Sequence, residues 1–226
     1  MEHTVTAVGV IDKAARVLAA VEERPLDLAA LMVATGLPRA TTHRLAVSLE
    51  GHGLLRRDPE GRFAPGLRLI ALGRAAARAL HLPEVARPAL EALRDDTGES
   101  TQLYVREGDR RICVVSLESP HGLRTIVPVG ASLPLDAGSA GHLLTGALDP
   151  TDGWVESVGE REPGVASVSA PVRSDDGQVI AAVSVSGPID RIGAHPGTTH
   201  GPAVATAAAR VEAALGRVSS DGPSSL

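Results

Sequence analysis

Hydrophobic residues lie three or four positions apart in the first part of the chain and alternate with polar residues in the second. Residues 10–22 and 84–97 have the helical spacing. The alternating pattern predicts strands over 101–106, 111–118 and 123–129. Helices that precede a run of strands predict an α+β protein.

The strongest local signals predict two short helices joined by a tight turn. Asp27 can cap a helix over 28–35, and Gly36 can end it in a left-handed conformation. Pro38 can then open a second helix that runs to about Glu50. A helix, a tight turn and a second helix form the arrangement that places one helix along the major groove of DNA.

A hairpin is predicted directly after these helices. Residues 53–57 and 62–65 can pair as short strands around the Pro/Gly turn at 58–61. A hairpin at this distance is the wing of a winged helix–turn–helix domain.

The second helix divides by face. Thr42, Leu45, Ala46 and Leu49 fall on one side and can pack against a small core. Arginine and hydroxyl side chains elsewhere on the helix suit base edges or phosphates, although a merely solvated face is the alternative. The candidate DNA-binding set, which retains Thr42 for its hydroxyl and adds two wing arginines, is Arg39, Ala40, Thr41, Thr42, His43, Arg44, Ser48, Arg57 and Arg62.

Composition and charge agree with duplex DNA as the partner. The chain has one Phe, one Tyr and one Trp, too few for the stacking platforms used in single-strand and RNA recognition. The net charge of −5 is unevenly distributed. Residues 1–94 hold 13 Lys and Arg against 10 Asp and Glu, whereas residues 95–226 hold 9 against 17. The basic excess therefore lies in the part that contains the predicted DNA-binding helices.

The sequence also indicates several absences. Cys113 is the only cysteine, so disulfides and cysteine-based zinc sites within one chain are excluded, and no metal or cofactor is expected. No run of 18 apolar residues is present, and the start of the chain lacks the features of a signal peptide. We therefore expect a cytoplasmic protein that does not associate with a membrane.

Four parts are expected along the chain. The DNA-binding domain covers 6–66, and a helix over 67–82, rich in Leu and Ala, connects it to the second domain. That second domain covers 83–218 and closes with a helix over about 202–218. Residues 219–226 are expected to be a disordered tail.

Two features of the second domain predict a ligand pocket. A helix that starts near Gly138, within a segment of small residues, would present free N–H groups to a carboxylate. Strands over 165–172 and 178–186 flank Asp176-Gly177, a strong hairpin signal. If those two residues form the loop, the residue numbers of any two residues that face each other across the hairpin add up to 353.

In that register, Ser169 lies opposite Ser184 and Ser167 lies opposite Ser186, with all four hydroxyls on one face of the sheet. A hydroxyl floor beside a helix amino terminus suits a small organic acid. A solvent-exposed strand face is the alternative, because the register of a hairpin can slip.

A catalytic alternative is also present. Residues 137–141 come within one residue of a nucleophile elbow around Ser139, and Asp190 and His195 or His200 follow in the order acid, base. The first glycine of that motif and an oxyanion segment are missing, so we expect no enzyme. A metal between His195 and His200 is less expected than two solvated loop histidines.

These segments together resemble the IclR family of bacterial transcriptional regulators, from about Val10 to Val218. The resemblance is carried by ordered matches at Ala34–Leu45, Gly53–Asp58, Ala86–Pro88, Asp96–Glu99, Val129–Gly130, Pro134–Leu135, Gly159–Val165 and Ala182–Pro188.

The resemblance implies a winged helix–turn–helix domain, a linker helix and a GAF-like α/β effector-binding domain. It further implies a homodimer or dimer of dimers on palindromic operator DNA, a small carboxylate as effector, and repression as the more frequent mode of regulation. A winged-helix module that binds protein and has no ligand response is the alternative. The effector positions that the resemblance implies are Leu123, Ile126, Ser139, Ala140, Ser167, Ser184 and Ser186. The strand pairing adds Ser169 to this set.

The chain departs from the family pattern in three places. The region between the glycine-rich helix and Gly159 is reduced to 146–158, so part of the cover over the pocket is short or missing. Asp136 and His142 stand where the family has His and Lys, and Ser157 stands where some members have an acidic residue.

Overall fold

The computed structural model describes residues 9–79, 81–146 and 150–220, and the chain divides into two compact units, 1–79 and 80–226. The helices are α1 (Gly9–Ala20), α2 (Leu28–Thr35), α3 (Arg39–Gly51), α4 (Leu67–Ala79), α5 (His81–Thr97), α6 (Ser139–Thr145), α7 (Ile189–Ile192) and α8 (Pro196–Ser220). The strands are β1 (Leu55–Arg57), β2 (Phe63–Pro65), β3 (Ser100–Glu107), β4 (Arg110–Leu117), β5 (Ser132–Pro134), β6 (Val155–Val158), β7 (Val165–Arg173) and β8 (Val179–Pro188).

The amino-terminal unit is a winged helix–turn–helix, as the local signals predict. The Asp27 carboxylate accepts a hydrogen bond from the Ala30 N–H at 2.8 Å and caps α2, and Gly36 ends α2 with a φ of 65°. Strands β1 and β2 pair antiparallel as the wing. The core of this unit is formed by buried side chains from α1, α2, α3 and the wing, among them Val17, Leu31, Ala46 and Phe63.

The carboxy-terminal unit is built on a six-stranded antiparallel sheet with the order β5-β4-β3-β8-β7-β6. Helices α5 and α8 cover one face through a large apolar core that includes Leu90, Val168 and Val204. Helix α6 covers the other face, where Leu143 packs with Tyr104 and Cys113. Polar groups on the α6 face therefore lie between the sheet and a short helix.

The predicted register of the serine hairpin is confirmed in the body of the hairpin. Ser169 pairs with Ser184 and Ser167 pairs with Ser186. The loop is longer than two residues, since the Ser174 N–H donates to the Gln178 carbonyl and the register shifts by one residue at Val172/Arg173. This irregularity stays next to the turn, so it does not exchange the faces of the strands.

The predicted strand over 123–129 is wrong. Side-chain hydrogen bonds fix this segment instead: Ser100 Oγ donates to the Thr125 carbonyl at 2.7 Å, and Arg191 donates to the Leu123 carbonyl at 2.9 Å. Pro128 lacks the N–H that a ladder would use. The third strand beside β4 is β5, which lies farther along the chain.

Several predicted helix boundaries are also corrected. Helix α5 begins at His81 rather than Glu84, and α8 begins at Pro196, so that Pro202 and His200 lie within it. Residues 219 and 220 of the expected tail belong to α8, and 221–226 lie outside the described residues. In the part of the chain described, no helix has the length and apolar character needed to cross a membrane.

Candidate functional site

The outward face of α3 presents most of the residues predicted to contact DNA. Arg39, Ala40, His43, Arg44 and Ser48 are exposed, and Thr41 is half-buried. Within the described residues, neither Arg39 nor Arg44 forms an ion pair, so both guanidinium groups are available to phosphates or base edges.

Thr42 does not belong to this face. Its side chain is 0% exposed, and its Oγ1 donates to the carbonyls of Leu37 and Pro38 at 3.2 and 3.1 Å. The hydroxyl secures the turn between α2 and α3 from inside the core. The inclusion of Thr42 in the DNA-binding set is therefore wrong, and its assignment to the core-facing side is correct.

The two wing arginines are held by the wing itself. Arg57 donates to the Gly61 carbonyl at 2.8 Å, pairs with Glu50 at 3.3 Å and lies over the Phe63 ring. Arg62 binds the carboxylates of Asp58 and Glu60 at 2.7 and 3.0 Å. Both stay partly exposed and could reach a phosphate, but each would then divide its hydrogen bonds between the phosphate and its present partners within the protein.

Arg56 is a wing cation that the sequence reasoning missed. It is exposed and forms no ion pair with the described residues. The alternation of β1 gives the signal, because Leu55 points into the core and the side chain that follows it must point away.

In the carboxy-terminal unit, the predicted serines form one hydrogen-bonded cluster. Ser139, at the start of α6, lies 2.8 Å from Ser167 and 2.7 Å from Ser169, measured between Oγ atoms. Ser169 in turn donates to Ser184 at 2.9 Å. Ser186 donates to the Gln102 side-chain oxygen at 3.0 Å instead. The alternative of a solvent-exposed strand face is therefore wrong for these positions.

Helix α6 begins as predicted, but its amino terminus already holds a carboxylate. Glu160 accepts from the Gly138 N–H at 2.9 Å and lies 2.6 Å from His142 Nε2. Partial burial disfavours the charged form, yet the Gly138 and His142 contacts outweigh it and lower the pKa of Glu160. One of the N–H groups expected to bind an effector, that of Gly138, is thus satisfied by the protein itself.

A small cavity lies between α6 and the serine cluster. Its volume is about 20 Å³, which is room for about one water molecule. Five of the predicted effector residues line it, namely Ser139, Ala140, Ser167, Ser184 and Ser186. The rest of the wall is formed by Tyr104, Arg111, Gly138, Ser157, Arg161 and Val165. Of these, the sequence places only Gly138 and Ser157 beside the pocket, and it assigns no pocket role to the other four.

Three other predicted effector residues do not line the cavity. Ser169 is buried beneath it and supports Ser139 and Ser184. Leu123 and Ile126 lie on the segment before β5 and are 71% and 58% exposed. In this conformation they do not enclose the cavity.

Arg111 is the most unusual residue of the wall. Its side chain is 3% exposed, and one guanidinium nitrogen donates to the carbonyls of Pro134 and Ala137, both at 2.6 Å. The Nε atom has no hydrogen-bond partner. Burial lowers the pKa of Arg111; Tyr104 and the Asp136 carboxylate act against this at longer range, but no described carboxylate forms an ion pair with it.

A catalytic role for Ser139 receives no support from its surroundings. Its Oγ is hydrogen-bonded to two serine hydroxyls, and no histidine of the described ranges contacts it. His195 is exposed and lies 3.7 Å from Glu156. The residues that the structure covers contain no group of three His, Cys, Asp or Glu side chains that could hold a metal ion.

Comparisons with known proteins cover both units. Residues 10–59 match the IclR helix-turn-helix domain, and residues 74–152 and 150–213 match the bacterial transcriptional regulator IclR C-terminal domain. The chain is 28% identical to the HTH-type transcriptional regulator KipR of Bacillus subtilis, over 72% of this chain and 78% of that protein. It is 26% identical to the transcriptional repressor IclR of Escherichia coli, over 80% of each.

Solved structures agree with this assignment. An IclR homolog from Microbacterium hydrocarbonoxydans, complexed with 4-hydroxybenzoate, superposes with a TM-score of 0.77 at 23% identity, over 92% of this chain and 99% of that one. An IclR transcriptional regulator from Alicyclobacillus acidocaldarius gives a TM-score of 0.76 at 25% identity, over 92% and 98%. A winged helix–turn–helix followed by a GAF-like domain is thereby confirmed, and the relatives are regulators rather than enzymes. The chain belongs to the IclR family of bacterial transcriptional regulators.

Proposed function

We propose that this regulator binds palindromic operator DNA as a homodimer or dimer of dimers, and that a small carboxylate in the serine-lined cavity controls the binding. Regulators of this family bind operator DNA and small-molecule effectors. The observation that carries the proposal for this chain is the exposed face of α3, with Arg39 and Arg44 free of internal ion pairs.

Repression is the proposed mode of regulation. Several relatives are named as repressors, including the E. coli protein IclR and the acetate operon repressor of Salmonella typhimurium. A repressor that leaves its operator when a metabolite accumulates needs an effector site separate from the DNA-binding face. The serine-lined cavity lies in the other compact unit and meets this requirement.

Dimerisation is supported by apolar side chains that the monomer leaves exposed. Six large hydrophobic residues of the amino-terminal unit are at least 49% exposed; one of them, Val33, lies on α2, and the other five are Val10, Ile11, Leu67, Ile70 and Leu72. These five lie on α1 and α4, outside the recognition helix. Apolar surface of this kind is typical of protein interfaces, and a two-fold dimer would place two copies of α3 on the half-sites of a palindrome.

A small acid as effector is supported by the chemistry of the cavity. Hydroxyl groups and a buried guanidinium surround it, and both can donate hydrogen bonds to a carboxylate. The structural neighbour from Microbacterium hydrocarbonoxydans was solved with an aromatic acid, 4-hydroxybenzoate. A molecule of that size requires the cavity to expand, because the present volume holds about one water molecule.

The proposal is tested by footprinting and fluorescence anisotropy on the region upstream of the protein's own gene. Arg44→Ala is expected to weaken operator binding by roughly 1–3 kcal/mol while leaving the fold intact, because the side chain is exposed and unpaired. Arg24→Ala is the charge-matched control, since Arg24 is exposed in the turn between α1 and α2.

Equal operator affinity for wild type and Arg44→Ala would refute the assignment of α3 as the DNA-reading helix. Absence of a footprint on any DNA, together with capture of a protein partner through the winged helix, would favour the interaction-module alternative. Repeating the titration with small acids tests effector control separately from DNA binding.

A further inference from the structure

The wall of the effector cavity contains a buried positive charge that the protein does not neutralise. Arg111 is 3% exposed, and its contacts within the described residues are with backbone carbonyls and the Tyr104 ring. Buried charges are normally paired with an opposite charge, because removing an ion from water costs several kcal/mol. A buried guanidinium without an ion pair is therefore a suitable binding point for an anion.

Its hydrogen bonding is also incomplete. The Arg111 Nε–H has no partner, and a second buried donor, the Gln102 side-chain amide nitrogen, has none either. Gln102 lies opposite Ser184 on the neighbouring strand, and its oxygen already accepts from Ser186. Because buried donors are nearly always satisfied, two donors on this side of the sheet are available to an acceptor that the described residues do not supply.

The surroundings fix the position of the guanidinium. The glycines of the 138–141 segment make room for it, since a Cβ at Gly141 would lie 2.2 Å from an Arg111 nitrogen and one at Gly138 would lie 3.1 Å from another. The carbonyls of Pro134 and Ala137 hold one edge of the group. The group is preorganised, so a ligand does not have to order it.

The other positively polarised groups near the cavity are already engaged in part. At the start of α6, the Gly138 N–H donates to Glu160, which also contacts His142. Arg161 lines the cavity, but it is less buried and lies 3.5 Å from the Glu162 carboxylate. Arg111 is thus the wall cation that forms no ion pair with a carboxylate of the described ranges, and Asp136 acts on it only at longer range.

We propose that Arg111 is the residue that selects the effector by charge, with its guanidinium binding the ligand's carboxylate while the serine cluster binds a second polar group. This inference rests on the proposed function only in that the cavity is the effector site. It predicts that this cavity binds small organic anions and rejects uncharged molecules of the same shape.

The test compares acids with their amides on the full-length protein. Acetate, lactate, benzoate and 4-hydroxybenzoate are paired with the corresponding amides, and binding is followed by calorimetry and by the rise in Tm. At least one acid is expected to bind about tenfold or more tightly than its amide, as one charge-assisted hydrogen bond implies. This preference should fall to about twofold or less in Arg111→Gln and be partly restored in Arg111→Lys.

Arg110→Gln is the matched control, because Arg110 is the exposed neighbour on β4 and donates only to Ser132. A folded Arg111→Gln protein that keeps the full preference for acids would overturn the proposal. A wild-type protein that binds operator DNA but none of the acids would overturn it as well, and would leave the DNA-binding proposal standing.

A second measurement follows the contact in the wild-type protein and uses a variant only for assignment. In wild-type protein labelled with ¹⁵N-arginine, the Arg111 Nε–H resonance is assigned by its absence in Arg111→Lys. It should move when the bound acid is added and stay in place when the amide is added. An acid that binds without moving this resonance would contradict the proposed contact.

Discussion

Ser169→Ala is the substitution that best tests whether the serine cluster stabilises the packing of α6 on the sheet. Ser169 is fully buried, and its hydroxyl joins Ser139 on α6 to Ser184 on β8. Removing one Oγ atom therefore breaks two hydrogen bonds between different elements. It leaves the Ser184 hydroxyl, itself buried, without the only contact seen for it among the described residues.

The expected loss follows from those two contacts. Each net hydrogen bond contributes about 0.5–1.5 kcal/mol, and a buried hydroxyl that loses its partner costs about 1–3 kcal/mol. We expect Ser169→Ala to lower the free energy of unfolding of the carboxy-terminal unit by about 2 kcal/mol. For a unit of about 150 residues this corresponds to a fall in Tm of roughly 4–8 °C.

Scanning calorimetry of the full chain measures this loss, with Ser167→Ala as the graded control. Ser167 lies at the half-buried rim and, among the described residues, bonds only to Ser139, so its removal should cost roughly 1 kcal/mol or less. The reasoning is refuted if Ser169→Ala costs no more than Ser167→Ala. In that case water replaces the hydroxyl, and the cluster does not hold α6 on the sheet.

Two further predictions concern titratable groups of the same unit. The pKa of Glu160 is lowered in the folded protein, so the contribution of this carboxylate to stability is complete above its ordinary pKa of 4.5 and is lost as the pH falls through the lowered value. The Tm difference between wild type and Glu160→Gln should therefore shrink between pH 6 and about pH 3. A Tm difference that stays constant over this range would contradict the prediction. Burial raises the pKa of Cys113 to about 12 and outweighs a backbone hydrogen bond with Val115 that lowers it, so iodoacetamide at pH 8 should label the thiol only after unfolding. Labelling of the native protein, detected by mass spectrometry at the rate of a free cysteine, would show that β4 opens.

The elements that the sequence predicts well are those fixed by short-range chemistry. The cap at Asp27 and the left-handed Gly36 set the bounds of α2 without any help from the rest of the fold. Asp176 and Gly177 set the turn of the serine hairpin closely enough for its register to follow. The bulge next to that turn could not be predicted, because it depends on how the two strands twist against the sheet.

The errors occur where distant residues decide the structure. The alternation at 123–129 resembles a strand, but Arg191 and Ser100, far away in sequence, hold this segment outside the sheet. Glu160 reaches the start of α6 from 22 residues farther along the chain. Arg111, by contrast, could have been noticed, since strand alternation puts it on the same face as the apolar Cys113, where a charged residue is exceptional.

The contact with Arg111 also sets an upper limit on how strongly an effector can regulate DNA binding. A ligand shifts an equilibrium only by its difference in affinity for the two states. If the Arg111 contact is complete in one state and broken in the other, one charge-assisted interaction of about 1.5–3 kcal/mol supplies that difference. Operator affinity would then change by roughly 10- to 150-fold on saturation with effector. Because coupling is reciprocal, operator DNA must weaken effector binding by the same factor if the protein is a repressor released by its ligand. Calorimetric titration of the acid with and without operator measures that factor directly, and a large response to effector with no change in its affinity would rule out a two-state linkage through this cavity.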